Sequence, residues 1–372
     1  MSSPKGLEGV VVASTKVGHV FGEEGRLVYR GFDITQLAAK ATYEEVCYLL
    51  WNGHLPNRHE LATLTERLRA QRGLNSAASA ALDGLPRAAN PMDALRTVAS
   101  AIGAGDPISG KPTPEQAERL AAVMPTIVAG VYRHSKGQQP VQPDASLGHA
   151  ANYLYMLTGE KPPENHVKSL DTYLVLLADH GMNASTFTCR VIASTESDMC
   201  SAIVGGIGAL KGPLHGGAPE LVMDMLDAIG SADNIRPWVD NTLSTGGKLM
   251  GFGHRVYRTT DPRAEVLREM ARNASTPEFF SLARGTEEYA IAELNRRKPE
   301  RRLYTNVEFY SAAVLNSVGL PRAYYPATFA VSRIAGWTAH VLEQMEANRL
   351  IRPQSEYSGP QGLQFVPVDS RP

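Results

Sequence analysis

Histidines, arginines and two glutamates gather in four short stretches of this chain, each beside glycine or a helix-starting residue. The first is Gly212-Pro213-Leu214-His215-Gly216-Gly217-Ala218-Pro219-Glu220. Its glycines leave backbone open near a small ligand, and Pro219 opens a helix predicted over Glu220–Leu226. His215 then precedes a helix N-terminus, where the dipole disfavours a protonated imidazole. A neutral imidazole there can donate a hydrogen bond to a developing enolate oxygen; the plainer reading is a histidine in a tight turn. The second stretch runs from Gly251-Phe252-Gly253-His254 to Asp261-Pro262-Arg263. It puts His254, Arg255, Arg258 and Arg263 within ten residues. Arg263 falls in the first turn of the helix opened by Asp261 and Pro262, so its guanidinium and the free N–H groups should face one side. That arrangement suits carboxylates or phosphates, against the plainer reading of a solvated basic loop.

The third stretch is Ala178-Asp179-His180-Gly181-Met182-Asn183-Ala184-Ser185-Thr186-Phe187. His180 ends an apolar helix, where a core or capping histidine is an equal reading. The fourth is Tyr304-Thr305-Asn306-Val307-Glu308-Phe309-Tyr310-Ser311. Asn306 can cap a helix with Glu308 in its first turn, a position where glutamate usually only compensates the dipole. Gly205-Gly206-Ile207-Gly208-Ala209-Leu210-Lys211 matches neither phosphate-binding glycine motif, and no strand precedes it. His54 and His59 lack a useful metal spacing, and no H-E-x-x-H or nucleophile elbow occurs.

The elements that must carry these stretches read as a string of helices. Thr42-x-x-Glu45 is a capping box followed by Val46, Leu49 and Leu50, and the helix stops near Gly53 and Pro56. Asn90-Pro91, Thr113-Pro114, Asp261-Pro262 and Thr276-Pro277 each set a capping residue before a proline at the first helical position. Leu120, Val123, Met124, Ile127 and Val131 form one apolar face, and Val167, Leu170, Leu174 and Leu177 another. Strand alternation is confined to Gly9–Arg30, where Gly22 and Gly25 can turn a small hairpin. The tail after Tyr357, rich in Gly, Pro and Gln, should wrap or fray. A glycine-rich break at Gly205–Gly217 and another at Gly319-Leu320-Pro321 divide the chain. We expect residues 1–215 and 321–372 to form a large helical domain, and 216–320 a smaller one.

With 372 residues the chain can hold two cores, and a net charge of −1 gives no basic field for nucleic acid. Any anion must be held by local Arg and His. Cys47, Cys189 and Cys200 show no C-x-x-C spacing, so reduced thiols in a cytoplasmic protein are expected. The N-terminus has no apolar signal core, and runs such as Tyr173–Ala178 are too short for a bilayer.

Together the four stretches resemble the citrate synthase family. The likeness spans nearly the whole chain. It begins at Gly6-Leu7-Glu8-Gly9-Val10 and Leu27-Val28-Tyr29-Arg30-Gly31-Phe32-Asp33-Ile34. It ends at Ser332-Arg333-Ile334-Ala335-Gly336-Trp337-Thr338-Ala339-His340 and Arg349-Leu350-Ile351-Arg352-Pro353. The Gly251–Arg263 stretch is similar to the family signature at every defining position. The resemblance implies an all-α, two-domain fold with a minor N-terminal hairpin, an active site at the domain junction and a homodimer. It implies acetyl-CoA and oxaloacetate as substrates, with no metal or redox cofactor. His215 would support the acetyl-CoA enol and His254 would polarise the oxaloacetate carbonyl. His180, Arg263 and Arg333 would hold its carboxylates, and Arg352 would reach the partner subunit's site. Arg255 and Arg258 would face CoA phosphates. The family's base is normally an Asp in an N-V-D-F-type motif, and here that place holds Glu308, longer by one methylene. The nearest alternative is 2-methylcitrate synthase, which uses propionyl-CoA on the same fold. The Asn306–Tyr310 form looks more like citrate synthase. A catalytically weak paralogue with an assembly or regulatory role is the other alternative, supported only by Glu308.

Overall fold

A computed structural model of the chain describes residues 5–7, 9–106, 110–216, 218–253, 257, 259–299 and 303–371. Sixteen α-helices run through the described residues, with one small antiparallel sheet of order β1-β2-β3. The sheet comprises β1 (Gly18–Phe21), β2 (Arg26–Tyr29) and β3 (Phe32–Asp33), and the first two pair from Gly18↔Tyr29 to Phe21↔Arg26. The expected hairpin is therefore present, turned by residues 22–25.

The capping signals act as their chemistry requires. The Thr42 hydroxyl accepts from the Glu45 N–H at 3.3 Å, and the Glu45 carboxylate accepts from the Thr42 N–H at 2.7 Å. Asn90, Thr113, Asp261 and Thr276 each cap a helix whose first residue is the following proline. Each cap satisfies backbone donors that the helix itself leaves open.

One long helix, Tyr325–Glu346, forms the axis of the core, buried along most of its length. Tyr43–Asn52, Pro114–Ser135, Glu164–Leu177, Ala184–Ser194 and Met199–Leu210 pack around it. Two glycines make this packing possible. A Cβ at Gly336 would run into the carbonyl of Ala178, to which Gly336 N–H instead donates at 3.0 Å. A Cβ at Gly206 would lie 2.5 Å from Cys189 Sγ and 3.3 Å from the Trp337 ring. The glycine run at 205–208 is thus no break in the chain. It lies inside the helix Met199–Leu210, and the turn begins only at Lys211. Gly205 and Gly206 serve close helix approach rather than a loop.

Ala218–Ile229, Ile235–Ser244, Pro262–Ala274, Pro277–Arg297 and Val307–Ser317 pack among themselves. They meet the other helices mainly where Pro262–Ala274 touches Ile34–Lys40 and Glu164–Leu177, where Val307–Ser317 touches Glu164–Leu177, and where Ala218–Ile229 touches the long helix. The three cysteines are buried and unpaired. Beyond the long helix the tail is exposed, with Leu363 at 79% and Phe365 at 84%. Among the described residues no helix is long and apolar enough to cross a membrane.

Candidate active site

His215 stands in the turn that follows Met199–Leu210. That turn is closed by His215 N–H to the Gly212 carbonyl at 2.9 Å and by Gly216 N–H to the Leu210 carbonyl at 3.0 Å. Its Nε2 lies 2.8 Å from Ser185 Oγ, in the first turn of the helix Ala184–Ser194 capped by Asn183. Ser185 Oγ also receives Trp337 Nε1–H at 3.0 Å and sits 2.8 Å from Asn183 Oδ1. The ring is thereby fixed to the long helix through one hydroxyl. Burial, helped by the positive charge of Arg333, lowers the imidazole to about 4. His215 is therefore neutral at pH 7.

His180 follows the C-terminus of Glu164–Leu177. Its Nε2 is 3.3 Å from the Tyr257 hydroxyl, and the two rings meet edge to face at 5.7 Å. The residue before it, Asp179, is fully buried. Asp179 Oδ2 accepts the Gly181 N–H at 2.9 Å, and Oδ1 lies 3.2 Å from His340 Nε2. Arg190 Nη1 approaches His340 Nδ1 at 3.2 Å and Glu343 at 2.7 Å. A guanidinium only donates, so His340 Nδ1 accepts and its proton resides on Nε2, directed at Asp179. Burial alone would raise the Asp179 carboxyl, but His340, Arg333 and the Gly181 N–H hold it below the usual range.

Arg333 projects from the middle of the long helix and is 1% exposed. Its Nε donates to the Leu177 carbonyl at 2.7 Å, and its guanidinium lies 4.6 Å from the Phe329 ring centroid. Burial pulls it to about 10, against the opposing pull of Asp179. It remains charged at neutral pH. A buried cation so placed is a site for an anionic group.

Arg263 is 2% exposed in the first turn of Pro262–Ala274. Its guanidinium and its backbone N–H do face one side, but Asp261 occupies that side. Asp261 Oδ1 accepts from Arg263 N and Nε, each at 3.0 Å, and Oδ2 accepts from Nη2 at 2.8 Å. Burial opposes the charge on Arg263, and Asp261 more than offsets it, so the guanidinium stays protonated. The capping aspartate thus aims the arginine as well as starting its helix.

Asn306 caps Val307–Ser317, accepting the Glu308 N–H at 3.2 Å. Glu308 Oε2 is enclosed and has no hydrogen-bond partner among the described residues. Burial raises its carboxyl above the ordinary value, against the lowering effect of Arg263. The approach to this helix is tied to the second stretch by a short antiparallel bridge between Phe252 and Thr305. Gly253 N–H donates to the Tyr304 carbonyl at 2.8 Å and Asn306 N–H to the Gly251 carbonyl at 3.0 Å. Asn306 Nδ2 adds a bond to the Gly253 carbonyl at 3.0 Å.

His254, Arg255 and Arg258 lie outside the described residues. Arg352 is exposed, beyond the end of the long helix. Its neighbour Ile351 donates its N–H to Ser194 Oγ at 3.0 Å, at the opposite end of the helix that carries Ser185. From Ser185 to Ser194 that helix runs roughly 14 Å at 1.5 Å per residue. Within one chain Arg352 is therefore not brought to His215. The structure adds Ser185, Tyr257, Asp261 and the Asp179–His340–Arg190 chain to the expected residues. All but Arg190 were in view as neighbours or caps, yet spacing along a sequence does not say which side chains meet across helices. Among the described residues no group of three or more His, Cys, Asp or Glu could hold a metal ion.

These observations describe a mostly helical protein in which the buried Arg333 lies within electrostatic reach of a neutral His215, of Arg263 and of Glu308, whose Oε2 has no hydrogen-bond partner among the described residues. The family model "Citrate synthase, C-terminal domain" matches residues 6–354. A citrate synthase of Haloferax volcanii is 44% identical over 99% of this chain and 98% of its own. A 2-methylcitrate synthase of Mycobacterium tuberculosis is 40% identical over 95% of this chain and 90% of its own. Among solved structures, the ternary complex of carboxymethyl coenzyme A and oxaloacetate with citrate synthase from Thermoplasma acidophilum superposes with a TM-score of 0.91. It is 32% identical, with 99% of each chain covered. The chain belongs to the citrate synthase family, and with it to the acyltransferases.

Proposed function

We propose that this chain joins acetyl-CoA to oxaloacetate and hydrolyses the citryl-CoA formed, with His215, His254 and Glu308 as its catalytic groups. Removing a methyl proton from a thioester needs a carboxylate base and a donor for the enolate oxygen. Glu308 is the base and neutral His215 the donor. His254 donates to the ketone that the enolate attacks. His180, Arg263 and Arg333 hold the dianionic keto acid, and Arg255 and Arg258 face the CoA phosphates. Each step uses side chains alone and calls for no metal or redox group. The observation that carries the reading is Glu308 Oε2, enclosed and without a hydrogen-bond partner among the described residues, on a carboxyl that burial raises above its ordinary value.

Residues 216–320 form the small domain that closes on the large one, 1–215 with 321–372. The mutual packing of the helices between Ala218 and Ser317 supports that division. The working unit is a cytoplasmic homodimer in which Arg352 completes the partner subunit's site. Its exposure and its separation from His215 along one helix support a role in the other subunit. Release of CoA thiol on mixing the protein with acetyl-CoA and oxaloacetate tests the activity. Absence of release would overturn the reading. Likeness to a 2-methylcitrate synthase favours running propionyl-CoA in parallel, because one methyl changes discrimination by only about 1–3 kcal/mol. A higher kcat/KM for propionyl-CoA would reassign the substrate.

A further inference from the structure

Glu287, on Pro277–Arg297, is one of the most heavily bonded buried groups in the molecule, and no step of the mechanism uses it. Its side chain is 2% exposed. Oε1 accepts from Thr305 Oγ1 at 2.6 Å and Arg268 Nη2 at 2.7 Å. Oε2 accepts from Tyr310 OH at 2.6 Å, Arg284 Nη1 at 2.9 Å and Arg268 Nε at 3.2 Å. The two hydroxyl partners hold a particular relation to the helix that carries Glu308. With Asn306 as the cap, Thr305 immediately precedes it and Tyr310 is the fourth helical residue. Those two positions usually close on each other through an apolar contact that fixes how the chain enters a helix. Here one carboxylate grips both. Glu308 lies two residues before Tyr310, about 200° around the helix at 3.6 residues per turn, and so faces the other way. Thr305 also carries the bridge to Phe252, which fixes the stretch ending at Gly253.

The geometry points to Glu287 as a positioning residue that sets the start of the Val307–Ser317 helix, and through it the carboxylate of Glu308. This inference rests on the base role proposed for Glu308. Arg268 and Arg284 neutralise the buried carboxylate from the outer side, while Thr305 and Tyr310 tie it to the helix. Loss of either hydroxyl link frees the entry to the helix without touching the substrate. A base displaced by a fraction of an ångström loses rate, whereas oxaloacetate binding through other residues is preserved.

The test uses full-length Thr305→Val, Tyr310→Phe and Glu287→Gln proteins, with Ala290→Gly as a control for lost stability on the same helix. CoA release gives kcat and KM, and amide hydrogen exchange is followed in peptides covering 304–311. In the two hydroxyl variants kcat should fall about tenfold with oxaloacetate KM changed by less than about twofold, and exchange in 304–311 should quicken. Glu287→Gln should lose at least as much; should it not fold, the hydroxyl variants decide. Ala290→Gly should melt earlier at unchanged kcat. Wild-type kcat with unchanged exchange in both hydroxyl variants would overturn the inference, as would an equal loss of kcat in Ala290→Gly. If the unmodified protein releases no CoA, the proposed activity fails instead, and exchange alone decides: quickening confined to 304–311 retains the clamp, and no quickening removes it.

Discussion

Glu308 Oε2 is enclosed with no hydrogen-bond partner among the described residues, and burial favours the uncharged carboxyl against the pull of Arg263. A neutral amide of the same shape cannot take a proton, so Glu308→Gln should reduce turnover by roughly a hundredfold or more with both substrates still bound. A Gln variant that turns over at the wild-type rate would remove Glu308 from the mechanism. Glu308→Asp is informative in either direction. A backbone adjusted to the longer side chain makes Asp fall short, and an unadjusted one lets Asp gain rate. The pH profile separates the base from His215. His215 lies at about 4, so it is neutral well below pH 6 and sets no limb there. Activity should instead fall on acidification as the raised carboxyl of Glu308 takes up its proton, and kcat/KM followed downward from alkaline pH shows that limb. The limb should vanish in Glu308→Gln, whose residual rate should be flat through the same range. For the arginines, Arg263→Leu or Arg333→Leu removes a charge-assisted bond worth about 1.5–3 kcal/mol. Oxaloacetate KM should rise strongly and acetyl-CoA KM far less. Unchanged oxaloacetate kinetics in both would remove the two residues from that role.

Where the elements begin was legible because caps are local. Thr42 with Glu45 and the four cap-proline pairs need only neighbours in sequence. The glycine run at 205–208 was misread as a break because its reason lies across space, in Cys189 and Trp337. The same limit hid a buried polar contact between elements. Asp171, on Glu164–Leu177, accepts the Tyr43 N–H at 3.1 Å at the start of Tyr43–Asn52. Burial, then the nearby Glu44, raise its carboxyl from 3.8 to about 7. Below pH 3.8 both folded and unfolded chains carry the proton, and the contribution to stability is complete. As pH rises toward 7 the unfolded chain ionises first, and that stability is lost. Asp171→Asn keeps the carbonyl that accepts the Tyr43 N–H and does not titrate. Its advantage in unfolding free energy over wild type should therefore grow by about 1–3 kcal/mol between pH 5 and pH 8. Urea unfolding at the two pH values measures this, and an advantage independent of pH would show that Asp171 is not protonated in the folded state.

At the scale of the whole molecule, His254, Arg255 and Arg258 lie outside the described residues, and of the other expected residues Arg352 stands apart. Arg333 lies within electrostatic reach of His215, Glu308 and Arg263, whereas Arg352 lies past the far end of Ala184–Ser194 at the root of an exposed tail. No pattern in a single sequence distinguishes an arginine that serves its own site from one that serves a neighbour's; only the assembly separates them. A mixing experiment does so directly. An Arg352→Ala chain retains His254, and a His254→Ala chain retains Arg352. Each homodimer alone should be nearly inactive. If Arg352 acts across the interface, a mixed dimer holds one site with both residues intact and one site lacking both. Mixing after partial denaturation and refolding should then restore CoA release, up to one working site per mixed dimer. If Arg352 acts within its own chain, every site in the mixed dimer lacks one residue or the other, and activity stays at the level of the separate variants. Mixed dimers isolated through two different affinity tags and still inactive would therefore return Arg352 to its own subunit.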